Sequence, residues 1–135
     1  MSEGVDRQNW TSEIPAIRVC MMPRDTNAVG TIFGGVILSI IDQAGAIAAH
    51  RIGAGRVVTV SMREVVFKHP VRVGDIVSCY SDVLKTGRTS ISVSVRVVAH
   101  RPADPNYAVE VTQAEVVYVH TDDQGRPIPL KPERV

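Results

Sequence analysis

The sequence predicts an α+β fold in which one long antiparallel sheet wraps around, or packs on, a single buried helix. Three observations predict it. The chain carries 23 Val and 11 Ile against 3 Leu, and β-branched side chains are stiff at χ1, so they crowd a helix and suit a pleated sheet. Only Val36–Ile52 combines the length and the alanine content of a helix. From Arg56 onward come four runs of alternating or continuous β-branched residues, each about ten residues long and therefore a strand candidate. Strand, helix, then four long strands is the order of an α+β layout.

The elements follow in order. Residues 1–14 are polar and read as a loose arm. Ala16–Met22 is the first strand-like run, and Pro23 stops it. RDTNAVGTIFGG is a polar, glycine-bearing loop that leads into the helix, which should end near Gly53 and Gly55, glycine being favoured just past a helix end. The strands are expected over Arg56–Phe67, Asp75–Lys85, Thr89–His100 and Tyr107–Thr121. The connections HPVRVG, TGR and RPADPN each carry the Pro or Gly that a reversing chain needs. In the third of these strands Ile91, Val93, Val95 and Val97 alternate with Ser90, Ser92, Ser94 and Arg96, so one face is buried and the other polar. The domain thus runs over residues 15–121, and the proline-rich stretch 122–135 is an extended surface tail.

At 135 residues, 44% hydrophobic and 21% charged, the chain has the length and composition of one soluble globular domain. The formal net charge is +1, the basic residues are scattered, and there are only 2 Phe, 1 Trp and 3 Tyr. No nucleic acid partner is therefore expected, because such binding relies on clustered cations and often on stacking aromatics. Cys20 and Cys79 have no zinc-site spacing and read as two reduced thiols of a cytoplasmic protein. No apolar run of membrane-spanning length and no secretory signal pattern is present in the sequence, so no membrane association is expected.

Asp42 is the only ionisable side chain between Val36 and Ala49. On a helical wheel Ile37, Ile40, Ile41, Ala44, Ile47 and Ala48 gather on the side away from it, and that side is expected to pack on the sheet. Gly35, Leu38, Ser39, Gly45, Ala46 and Ala49 fall within about 60° of it. Two readings fit this small-residue face. Asp42 either sits in water on a narrow solvent-facing stripe, or acts as a general base or nucleophile in a narrow, partly desolvated groove. The pair Gly34-Gly35 is either a tight entry turn or an opening that lets a carbonyl oxygen approach the free N–H groups of the first turn. Gly35 lies two turns before Asp42 on the same face, about 10 Å along the axis.

DTNAVGTIFGGVILSIIDQAGAIAA, followed by RVVTV, FKHPVRVGDIV and KTGRTSISVSV, resembles the hotdog-fold acyl-CoA thioesterases, most closely the small bacterial YciA type, over Cys20 to Tyr118. The resemblance implies a long antiparallel sheet wrapped around one helix. It also implies homodimers that assemble further as trimers of dimers, with the active site at the subunit interface. It carries the catalytic acid onto Asp42 and a loop asparagine, supplied by the partner subunit, onto Asn27. The backbone amide of Gly35, with Gly34, then polarises the thioester carbonyl, and Thr59 makes a polar contact near the attacking water. The hairpin residues Lys85, Gly87, Arg88, Thr89 and Ser90 correspond to the stretch that meets coenzyme A, with Arg56 or Arg63 toward its phosphates; the other reading of these basic residues is solvated charge on strand ends.

Two positions depart from the family pattern: Val36 stands where a bulky aromatic is common, and His69 precedes the Pro of the FxxPVxVGD stretch, where it reads as a solvated or capping residue. The implied reaction is hydrolysis of acyl-CoA to a carboxylic acid and coenzyme A, with no cofactor beyond the coenzyme A of the substrate, and no metal site, since His50, His100 and His120 lack ligand spacing. Rival readings are a hotdog enoyl-thioester hydratase, which would usually pair Asp42 with a neighbouring histidine where Gln43 stands, and a non-catalytic acyl-thioester binding module.

Overall fold

A computed structural model describes residues 14–130. Of the expected arm, residues 1–13 lie outside the described residues, and so do 131–135 of the tail. The chain forms β1 (Ile17–Cys20), a short 3-10 turn over Pro23–Asp25, helix α1 (Gly34–Arg51), and then β2 (Arg56–Arg63), β3 (Ile76–Thr86), β4 (Ser90–Arg101) and β5 (Asp104–Thr121). The five strands make one sheet in the order β1-β3-β4-β5-β2, every neighbouring pair antiparallel. The sheet curls around α1, and four register shifts, at Thr59/Ser61, Val83/Lys85, Val97/Val98 and His100/Arg101, help it bend.

The predicted alternation in β4 holds. Ile91, Val93, Val95 and Val97 are fully buried against the helix side, while Ser94 pairs with Glu115 and Arg96 with Gln113 on the outer face. On that face Arg63 meets Glu115 at 2.8 Å, and the guanidinium of Arg96 lies 4.8 Å from the centre of the Tyr80 ring.

Two expectations are corrected. The strand expected to reach Phe67 stops at Arg63, because Glu64 takes a positive φ of 58° that breaks the extended run; beyond it the Lys68 N–H still bonds the Val111 carbonyl. The helix is also turned from the wheel expectation. Gly45 and Ala49, expected beside Asp42 on the small-residue face, are buried, whereas Ile47 remains 37% exposed. Five of the six residues expected on the sheet side are buried, all but Ile47; small side chains let the sheet come closest on their side, so the packed face centres on Ile41 and Ala48, roughly 40° from the centre of the expected set.

At the other end of the sheet the part of the tail that is described turns at Asp122–Arg126 and comes back. Ile128 N–H bonds the His120 carbonyl and Leu130 N–H bonds the Arg88 carbonyl, so this stretch lies against the β3–β4 hairpin. Asp75, 1% exposed, anchors the opposite end. Arg101 grips its two carboxylate oxygens at 2.8 and 3.1 Å, and that bond holds the guanidinium above its ordinary pKa.

Candidate active site

The turned helix brings Asp42 to the border between its buried and exposed sides, where it is half-buried. There the Thr59 hydroxyl of β2 donates to Asp42 Oδ1 at 2.6 Å. Thr59 stands in register with Tyr118 of β5, and the Tyr118 hydroxyl donates to the backbone carbonyl of the same Asp42, also at 2.6 Å. Two neighbouring strands thus fix one helical residue, one by its carboxylate and one by its main chain. Tyr118 is 1% exposed; burial, and behind it the negative charge of Asp42, push its phenol well above the ordinary value, so the hydroxyl stays a proton donor.

Gly35 is exposed in the first turn of α1, and a side chain there would point into open space. The helix cap at Phe33 makes no side-chain bond to the first turn. Gly35 therefore leaves room for an acceptor to approach the N–H groups of this turn, where the helix dipole favours negative charge. Beside it opens a groove of about 480 Å³ lined on one part by Ile17, Val19, Met21, Val36 and Ile40 and on another by Arg24, Asp25, Ser39 and Gln43. Gly34 faces the Phe67 ring, 3.4 Å from where its Cβ would stand, beside a smaller hollow where half-buried His69 sits with Pro70.

Within this chain Asn27 is not joined to Asp42 by a hydrogen bond. Its Oδ1 accepts from the Val29 and Thr31 N–H groups at 3.0 and 3.1 Å, and its Nδ2 donates to Thr31 Oγ1 at 2.9 Å. This residue shapes the loop ahead of the helix. Lys85, Gly87, Arg88, Thr89 and Ser90 form the β3–β4 hairpin, at the end of the sheet where β2 begins with Arg56 and α1 ends. The His120 N–H bonds the Thr89 carbonyl there. Ser90 is the chain neighbour of Ile91, the register partner of Tyr118, and Arg56 lies three residues before Thr59 on β2, about 10 Å along the strand. Arg56 meets Asp123 at 3.5 Å, both side chains exposed, and Arg63 is held on the outer sheet face by Glu115. The hairpin and Arg56 thus cluster, whereas Arg63 stands apart from them. Among the described residues no group of three or more His, Cys, Asp or Glu is placed to hold a metal ion, and no helix is long and apolar enough to cross a membrane.

Sequence reasoning missed Tyr118, whose hydroxyl stands where a Cβ on Gly45 would be. A signal was present: a glycine inside a helix costs about 1 kcal/mol against alanine, which calls for a packing reason.

Residues 29–104 match the model of the thioesterase superfamily. The chain is 46% identical over 118 residues to the acyl-CoA thioester hydrolase YciA of Salmonella typhimurium, covering 84% of this chain and 87% of that protein. Among solved structures it is similar to a hexameric hotdog-fold thioesterase of Campylobacter jejuni, with TM-score 0.82, 50% identity, and 87% and 90% of the two chains covered. It is likewise similar to HI0827, a hexameric broad-specificity acyl-coenzyme A thioesterase solved as an aspartate-to-alanine mutant, with TM-score 0.84, 41% identity, and 89% and 88% covered. With one helix held in a curled antiparallel sheet and these relatives spanning most of its length, the chain belongs to the thioesterase superfamily, in the hotdog-fold acyl-CoA thioesterase family of YciA type.

Proposed function

We propose that the protein hydrolyses acyl-CoA thioesters to a free carboxylic acid and coenzyme A, with Asp42 as the reacting carboxylate. The observation that carries this reading is the 2.6 Å bond from Thr59 to Asp42 Oδ1. It orients an acid that has no other ionisable residue near it on the helix. Gly35 and Asp42 of one helix stand about 10 Å apart, too far to meet one carbonyl, so the Gly35 N–H that takes up the charge of the tetrahedral oxyanion comes, with Asn27, from a second copy of the chain; one such donor contributes about 3 kcal/mol. Water attacks the carbonyl carbon in one of two ways: with Asp42 taking its proton, or after Asp42 itself has attacked and formed a mixed anhydride. In both the C–S bond breaks and coenzyme A leaves as a thiolate, a good leaving group that needs neither a strong general acid nor a cofactor.

The partner subunit supplies Asn27 to this site. Two features support a paired site: relatives of this family are hexamers, and β2 is an edge strand with Val58 and Val60 exposed, an invitation to pair with a second copy. Dimers then join as trimers of dimers. The Lys85–Ser90 hairpin and Arg56 receive the nucleotide end of coenzyme A, and the free thiols Cys20 and Cys79 support a cytoplasmic location.

A panel of acyl-CoAs from acetyl to palmitoyl, followed for both thiol and acid, tests the reaction. The reading expects one thiol and one carboxylic acid per substrate consumed. Loss of an enoyl-CoA chromophore without thiol, or tight binding without turnover, would replace hydrolysis by hydration or by a binding role.

A further inference from the structure

Resting on that reading of Asp42, we infer that Tyr118 is a positioning residue for catalysis and that Gly45 exists to admit it. The Tyr118 hydroxyl donates to the Asp42 carbonyl at 2.6 Å. A regular helix pairs the carbonyl of residue 42 with the N–H of residue 46 directly. A strand side chain therefore stands at the very rung that begins with the reacting residue, and a group placed in a helical ladder sets the local bend of that helix.

A tyrosine on a neighbouring strand reaches a helix backbone only where the helix surface is bare, and Gly45 makes it bare. A Cβ built on Gly45 would collide with the Tyr118 hydroxyl and stand 3.0 Å from two of its ring carbons. Any other residue at 45 pushes the phenol away. The Thr59 hydroxyl approaches the same residue from the register partner of Tyr118, so the carboxylate is held from both ends of residue 42. Losing the main-chain hold lets the Asp42 carboxylate swing relative to the thioester carbonyl, and misplacements of about 1 Å cost up to about a hundredfold in rate.

The test compares Tyr118→Phe with Asp42→Asn in the full-length protein, measuring kcat and KM by thiol release well below each variant's unfolding temperature. Tyr118→Phe keeps the ring and hence the core. The expected result is a fall in kcat of about tenfold or more with KM within about twofold of wild type, while Asp42→Asn is inactive. Gly45→Ala should lower kcat in the same way, and combining it with Tyr118→Phe should cost less than the product of the two separate losses, because both remove one contact. A Tyr118→Phe enzyme with wild-type kcat beside an inactive Asp42→Asn overturns the positioning role alone. So does a loss confined to KM, or losses that multiply in the double variant. Turnover surviving in Asp42→Asn overturns the reading of the site itself.

Discussion

Thr59 and Tyr118 face each other in register across β2 and β5, and both hydroxyls end on Asp42, one on Oδ1 and one on the backbone carbonyl, each at 2.6 Å. A sheet normally touches its helix through apolar side chains. Here two polar contacts between neighbouring strands and a single helical residue hold the Asp42 carboxylate and its main chain.

The Thr59 bond is to a charged acceptor, and such bonds contribute about 1.5–3 kcal/mol. Thr59→Val, which keeps the shape and removes the hydroxyl, should therefore lower kcat/KM by about ten- to a hundredfold. Thr59→Ser should retain most of the rate. Steady-state thiol release from one acyl-CoA across the three proteins checks both.

Stability at the other end of the sheet rests on Arg101 and Asp75. With Asp75 1% exposed, Arg101→Met leaves its carboxylate buried with the Arg72 N–H, at 3.0 Å, in place of two guanidinium bonds. The expected cost is about 3 kcal/mol, read as a lower urea midpoint. The reaction at Asp42, on another element, should keep its kcat at temperatures where the variant is folded.

Burial pushes the Cys79 thiol up to about 12. At pH 8 it is therefore protonated and closed to thiol reagents, which attack the thiolate. Cys20 is exposed in the subunit. The native protein should titrate no more than one thiol, and both should react in denaturant; Cys20→Ser should titrate none until unfolded.

The fold was legible because its determinants are local and repeated. Alternation in β4 placed Ile91, Val93, Val95 and Val97 in the core correctly, and the rarity of helix-forming stretches left room for only one long helix. The end of β2 was hidden because Glu64 is an ordinary residue in an unusual backbone conformation, and nothing in the run MREVVF announces it. The rotation of α1 was hidden for a different reason. A helical wheel weighs residues by hydrophobicity, which favours Ile47, whereas the packing obeyed close approach, which favours Gly45 under Tyr118. Asp42 stood out as an isolated acid, and Thr59 could be paired with it only through the resemblance to the family, since seventeen residues separate them. Asn27 shapes its own loop within the subunit, a role its spacing alone did not suggest.

The most direct measurement is acyl-CoA hydrolysis by Asp42→Asn, with folding checked by circular dichroism and assembly by light scattering. The expected result is a folded protein of wild-type oligomeric state whose thiol release falls to background. A folded, assembled Asp42→Asn enzyme that still releases coenzyme A at a near wild-type rate would contradict it.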